Sequence, residues 1–127
     1  MSESIPEGPA GLLLSRDLIF TSKVTGTARM LGHEVRTVGN AASVLALIAQ
    51  WHPRALFVDL AAGDLVSPES LMAYKSAAGP GATLIAFGSH VDTAGLAAAS
   101  EAGCDVVLPR SKFTTDLPDL IRRYLGE

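Results

Sequence analysis

Short apolar runs alternate along the chain with longer segments in which apolar residues recur every three or four positions. The runs are rich in Leu, Val and Ile, and several contain no polar position, as expected of strands covered on both faces. The longer segments have the spacing of helices that pack one face against a sheet. Five strand and helix pairs follow one another from Gly11 onward, which predicts one α/β domain on a parallel sheet. The predicted strands are 11–15, 33–38, 55–59, 83–87 and 106–109, and the predicted helices are 19–31, 41–50, 68–77, 93–102 and 116–125.

The residues between these segments support the predicted boundaries. Asn40 and Ser67 are suited to cap helix starts, and Gly32 and Gly103 to take a left-handed conformation after helix ends. In the last helix, one stripe should face the sheet, formed by Leu117, Leu120, Ile121, Tyr124 and Leu125. Right-handed crossovers between parallel strands then favour the strand order 2-1-3-4-5.

Composition and charge narrow the function classes. The chain has 127 residues, 48% of them apolar and 18% charged, which fits a single packed domain. Its formal net charge is −3, and no run of Lys or Arg offers the basic surface that nucleic acid requires. The single cysteine, Cys104, excludes an internal disulfide and is expected to be a small buried thiol.

The ends of the chain suggest a simple organisation. Residues 1–10 are polar and rich in Pro and Gly, without the features of a secretory signal, so we expect a flexible tail at 1–10 and the domain at 11–127. No apolar run is long enough to span a bilayer. We therefore expect a soluble, cytoplasmic protein that binds no membrane.

Polar residues follow the predicted strands at the edge where functional groups of such sheets gather. In open parallel sheets, this is the edge at the carboxyl ends of the strands. It collects Ser15, Arg16 and Asp17 after strand one, Asp59 after strand three, Gly88, Ser89 and His90 after strand four, and Arg110, Ser111 and Lys112 after strand five.

Three stretches of sequence resemble the receiver domains of response regulators. LFVDLAAGD (Leu56 to Asp64) resembles the strand that ends in the phosphoacceptor aspartate, and LIAFGSH (Leu84 to His90) the strand that ends in a Ser or Thr. AGCDVVLPRSKF (Ala102 to Phe113) resembles the strand that delivers an active-site lysine. The resemblance covers the chain from Gly11 to Leu125 and implies a flavodoxin-like, or CheY-like, three-layer sandwich with strand order 2-1-3-4-5.

The positions that would carry phosphorylation chemistry depart from the family pattern. By the resemblance, two acidic residues after strand one help to hold Mg²⁺, which neutralises charge on the transferred phosphoryl group. Ser15 and Arg16 stand at those positions, and only Asp17 follows. A guanidinium at this point would repel a divalent ion rather than bind it.

The other matching positions differ as well. Gly88 stands where a hydroxyl is expected, with Ser89 one position later, and Arg110 stands where the lysine is expected. Arg is a broad planar fork whereas Lys is a compact point charge, so the two are not equivalent in such a site. Only Asp59, at the phosphoacceptor position, is unchanged.

These departures lead to one hypothesis about charge at the site. A partly buried carboxylate without a partner is costly, whereas a hydrogen-bonded Arg offsets much of that cost. We therefore expect Asp59 to be held by Arg16, Arg110 or both, with a built-in cation in place of the metal.

The leading functional hypothesis is a non-enzymatic pseudo-receiver that uses no cofactor and docks on a signalling protein or on itself. By the resemblance, a homodimer would form through the face of helix four, strand five and helix five. The alternatives are a working phosphoacceptor that uses Asp59 and Asp17 with Mg²⁺, and a sensor of small anions at the same edge. The sensor would use the two stretches Ser15-Arg16-Asp17 and Arg110-Ser111-Lys112.

Other candidate residues have simpler interpretations. His90 and Asp92 could form an acid-base pair or part of a metal site, but Asp92 is more simply a cap for the fourth helix and His90 a loop residue. Trp51 could anchor a partner, although covering the sheet edge is the favoured interpretation.

Overall fold

The computed structural model of the chain describes residues 8–126, in which five strands and six α-helices alternate. The strands are β1 (Gly11–Leu14), β2 (Val35–Val38), β3 (Ala55–Asp59), β4 (Thr83–Gly88) and β5 (Val106–Pro109). The helices are α1 (Leu18–Met30), α2 (Ala41–Trp51), α3 (Pro68–Ala78), α4 (Thr93–Glu101), α5 (Arg110–Thr115) and α6 (Leu117–Leu125). A 3₁₀ segment at Leu60–Val66 follows β3 directly.

The strands form one parallel sheet in the order β2-β1-β3-β4-β5. In the register of the central strands, Leu14 lies beside Val38 on one side and Val58 on the other. The predicted fold class and strand order are confirmed. Because β1 and β3 are neighbours, the residues that follow them meet at the carboxyl edge of the sheet.

Alternate side chains of the central strands enter two separate apolar clusters. Leu12 and Leu14 pack with buried residues of α2, α3 and α4, whereas Leu13 and Phe57 pack with those of α1, α5 and α6. Successive strand residues point to opposite faces, so an all-apolar run serves both layers. The predicted stripe of the last helix is confirmed, since Leu117, Leu120, Ile121 and Leu125 are buried and Tyr124 packs against the same cluster.

Local sequence signals explain several element boundaries. The side chain of Asn40 accepts a hydrogen bond from the Ser43 N–H at 2.8 Å, and that of Ser67 accepts one from the Ser70 N–H at 3.2 Å. Gly103 ends the α4 turn with φ of 112°, a region that strongly favours glycine. These predicted caps and turns are confirmed.

Two helical segments were not predicted. The 3₁₀ segment passes through Gly63 with φ of 66°, and the hydroxyl of Tyr74 donates to the carbonyl of Leu65 at 2.7 Å. Helix α5 begins directly after β5 without a side-chain cap, and Phe113 anchors it in the core. Each segment is thus held in part by a contact outside its own residues.

The start of the described chain packs against the domain. Residues 1–7 of the predicted tail and Glu127 lie outside the described residues. Pro9 is buried, the N–H of Ala10 donates to Glu34, and the carbonyl of Ala10 accepts from the Arg54 N–H at 2.7 Å. Within residues 8–126, no helix is both long enough and apolar enough to cross a bilayer.

Candidate functional site

Asp59 is the last residue of β3 and is 1% exposed. One carboxylate oxygen, Oδ2, accepts a hydrogen bond from Ser15 Oγ at 2.8 Å. The other, Oδ1, accepts from Arg110 Nη2 at 2.7 Å and from the Ala61 N–H at 3.0 Å. Each oxygen of this buried carboxylate is therefore engaged by donors of the protein itself.

Arg110 is the cation of this arrangement. It is the first residue of α5, and its guanidinium lies 4.9 Å from the ring centre of Phe20 and 5.4 Å from that of Phe87. The rings attract the cation and cover its planar faces. Because its side chain is 32% exposed whereas that of Asp59 is 2% exposed, the ion pair joins a buried carboxylate to the protein surface.

Arg16, the other arginine of the hypothesis, does not pair with Asp59. Its Nη1 donates to the carbonyl of Ala62 at 3.0 Å and to Asp64 Oδ1 at 3.1 Å. Its Nη2 donates to the carbonyl of Gly39 at 3.2 Å. Arg16 thus ties the connection before α2 to the 3₁₀ segment after β3.

The direction of the backbone after β1 explains why Ser15 and Arg16 reach different partners. Ser15 is buried whereas Arg16 is exposed, as expected when neighbouring side chains leave an extended chain in opposite directions. Ser15 therefore reaches Asp59, and Arg16 turns to the outer loops. The next residue, Asp17, caps α1 by accepting a hydrogen bond from the Phe20 N–H at 3.0 Å.

The positions after β4 contribute no hydroxyl to Asp59. Gly88 is buried, and a Cβ placed on it would lie 3.3 Å from the side chain of Leu60, so the backbone approaches closely here. Ser89 is exposed and its Oγ accepts from the Val91 N–H at 3.4 Å. A side chain at position 88 would require Leu60 to shift by a few tenths of an ångström.

His90 and Asp92 make no hydrogen bond or ion pair with each other among residues 8–126. Asp92 accepts a hydrogen bond from the Gly95 N–H at 3.0 Å and caps α4 as predicted, while His90 is exposed. Among residues 8–126, no group of three or more His, Cys, Asp or Glu side chains is placed to hold a metal ion.

A shallow depression of about 570 Å³ adjoins the outer side of Arg110. It is lined by Ser89, His90, Arg110, Ser111, Thr114 and Thr115. Thr114 and Thr115 were not among the predicted site residues. Their spacing of three and four residues from Ser111 would place them on the same side of a helix, but α5 itself was not predicted.

The remaining predicted residues lie away from this edge. Trp51 is the last residue of α2 and stacks against the guanidinium of Arg36 at 4.7 Å. Cys104 is buried, and burial raises the pKa of its thiol to about 11. At neutral pH the thiol is therefore protonated, as a structural cysteine would be.

Comparison with known proteins identifies the fold. No family model and no curated protein matches the chain. The receiver domain of NtrX from Brucella abortus is similar in structure, with a TM-score of 0.76 and 23% sequence identity over 91% of this chain and 97% of that one. A CheY-like receiver domain protein from Methanospirillum hungatei JF-1 has a TM-score of 0.75 and 20% identity, with 91% of each chain covered.

A longer NtrX chain, solved in complex with ADP, has a TM-score of 0.74 and 23% identity over 91% of this chain. The present chain spans 25% of that protein. The chain therefore has the receiver-domain fold of response regulators. At these identities the likeness concerns the fold alone.

Proposed function

We propose that the protein is a non-catalytic signalling module of the receiver type, in which the guanidinium of Arg110 balances the charge of Asp59 in place of a metal ion. The observation that carries the proposal is the 2.7 Å contact between Arg110 Nη2 and Asp59 Oδ1. The Ser15 hydroxyl on the other oxygen supports it. The site then needs neither Mg²⁺ nor any other cofactor to balance its buried charge.

Phosphorylation of Asp59 requires a carboxylate oxygen that is free to attack and a metal that neutralises the incoming phosphoryl group. Both oxygens of Asp59 are engaged, and reaching Oδ1 would require Arg110 to move. Two other acidic side chains that follow β1 and β3 are also engaged, because Asp17 caps α1 and Asp64 pairs with Arg16. These contacts favour a module that works without the phosphoryl group.

The proposed output is protein docking at the same edge of the sheet. Leu18 and Ile19 directly follow Asp17 and are 82% and 86% exposed. Exposed apolar side chains grouped beside a polar site are common at protein contacts. The proposed partner is a protein of a cytoplasmic signalling pathway, and the net charge of −3 favours a protein over nucleic acid.

A phosphodonor assay tests the proposal. The protein is incubated with acetyl phosphate and Mg²⁺ beside a receiver domain of proven activity, and intact masses are compared. We expect an acid-labile phosphoryl adduct on the control protein and none on this chain.

An Asp59→Asn variant assigns any adduct that forms. An adduct on the wild-type chain that disappears in this variant would establish the competing function, a working phosphoacceptor. The position of Asp59 at the end of β3 in a receiver fold is the observation that favours this second candidate.

A further inference from the structure

We propose that the depression beside Arg110 binds a small phosphate-type anion and that the bound anion shares Arg110 with Asp59. This inference rests on the proposed function in one respect. It takes the Arg110 to Asp59 pair as the resting state of the site. It adds a ligand class and a means of regulation.

The lining of the depression offers donors and no acidic group. Its members are four hydroxyl side chains, one imidazole and one guanidinium, from Ser89, Ser111, Thr114, Thr115, His90 and Arg110. Hydroxyls and imidazole can each donate a hydrogen bond, and a guanidinium adds positive charge. The oxygen-rich anion that suits such a surface is a phosphate group.

The hydroxyls of α5 lie where they can act together. Ser111 precedes Thr114 and Thr115 by three and four positions, and residues at this spacing share one side of a helix. Ser89 and His90 approach from the connection between β4 and α4. The depression is therefore bounded by two separate elements, with Arg110 between them and the core.

Arg110 has unused hydrogen-bonding capacity. A guanidinium carries five N–H donors. Within residues 8–126, the guanidinium of Arg110 donates one hydrogen bond to the protein, and its acceptor is Asp59. Arg16 differs, because its Nε, Nη1 and Nη2 all donate to the protein. Arg110 can thus keep Asp59 on one nitrogen and present others to an anion, which suits the planar fork of arginine.

The charges around the depression do not oppose an anion. Lys112 pairs with Asp116 at 2.9 Å, and Asp92 is engaged by the backbone N–H of Gly95. Asp59 itself is buried behind the guanidinium. An anion that enters would share the positive charge of Arg110 with Asp59, so occupancy of the depression would alter the ion pair of the buried carboxylate.

Thermal unfolding measures the binding, because a ligand that prefers the folded state raises the melting temperature with its concentration. Sodium phosphate is compared with sodium chloride at equal ionic strength, on the wild-type chain and on a Ser111→Ala and Thr114→Val double variant. The matched control is Ser76→Ala, which removes an exposed hydroxyl from α3.

We expect phosphate to stabilise the wild type and Ser76→Ala more than chloride does. The double variant should need about tenfold more phosphate for the same shift, as loss of two hydrogen bonds to an anion implies. His90→Ala, which changes only an exposed loop side chain, provides a second variant should the double variant fold poorly, and it should weaken the effect in the same direction.

O-phosphoserine, used in place of phosphate, distinguishes the source of the anion. Tighter binding of this ester than of inorganic phosphate points to a phosphorylated molecule, and weaker or equal binding points to free phosphate. Equal shifts from phosphate and chloride, or equal shifts in the wild type and both site variants, would overturn the proposal. Inorganic phosphate is not a phosphodonor. An adduct on Asp59 in the mass assay would therefore contradict the proposed function, and it would not test the binding of phosphate in the depression.

Discussion

Asp59 shows how donors of the protein itself can satisfy a buried carboxylate. An isolated ionised group pays a large cost when it leaves water. Here a guanidinium, a hydroxyl and a backbone amide all donate to it within 3.0 Å. All of these donors belong to the protein. Removing the side chain of Arg110 would leave the carboxylate buried without its counter-charge.

Replacing Arg110 with Met should therefore destabilise the protein. Breaking a buried pair by removing one partner is strongly destabilising, and because the Arg110 side chain is 32% exposed we expect a loss of about 2–4 kcal/mol. Urea-induced unfolding followed by circular dichroism measures it. Arg122→Met is the matched control, since its exposed pair with Asp119 should be worth less than about 1 kcal/mol. Equal losses in the two variants would show that the Arg110 to Asp59 pair contributes no more to stability than an exposed surface pair.

The sequence located these residues at one edge of the sheet but did not settle which arginine meets Asp59. Strand ends follow from apolar runs, and parallel strands bring their carboxyl ends together. The choice depends on which way each side chain leaves the backbone after the strand. Arg16 follows an inward-facing Ser15, whereas Arg110 is the first residue of a helix that was not predicted from the sequence.

Among the elements, the five strands and the capped helices were predictable because their signals are local. The apolar runs and the caps at Asn40 and Ser67 lie within the segments that they define. The 3₁₀ segment is capped by Asp59, which the prediction assigned to the site instead, and α5 has no side-chain cap. Tyr74 holds the first from another helix, and Phe113 of α5 stacks on Phe87 of β4 with ring centres 4.0 Å apart.

Asp105 joins three elements at the start of β5. Both of its carboxylate oxygens accept from Lys75 Nζ of α3 at 2.8 Å, and Oδ2 also accepts from the Leu84 N–H of β4 at 2.9 Å. Burial alone would raise the pKa of Asp105, but the hydrogen bonds from Lys75 and Leu84 outweigh burial and lower the pKa. The ionised form is thus favoured by folding.

The lowered pKa of Asp105 gives the free energy of unfolding a pH dependence of known sign. The contribution is present above the unfolded-state pKa of about 3.9 and is lost as pH falls through the lower folded-state value. Asp105→Asn should therefore reduce the stability lost between pH 5 and more acidic conditions, as measured by urea unfolding at a series of pH values. In a Lys75→Met background the same substitution should have a smaller effect. A pH dependence unchanged by Asp105→Asn would contradict this assignment.

At the scale of the whole molecule, one edge of the sheet is less covered than its centre. Strand β5 lies next to β4 and forms one edge of the sheet, and all four of its residues are only partly buried. Helix α4 beside it exposes small side chains such as Ala94 and Ala97. An edge strand with unpaired backbone groups next to a flat helix can accept another chain closely. We therefore retain α4, β5 and α6, the last being the fifth helix of the sequence prediction, as the proposed face of a homodimer.

A charged side chain on α4 tests that face. Ala97→Arg would place two like charges across the twofold axis of such a dimer, and we expect the dissociation constant to rise at least about tenfold. The matched control is Ala46→Arg, which adds the same group to the exposed side of α2. Sedimentation at several concentrations should show a dimer for the wild type and the control and a monomer for Ala97→Arg. A wild-type chain that stays monomeric would refute self-association, and a dimer that persists in Ala97→Arg would place the contact on another face.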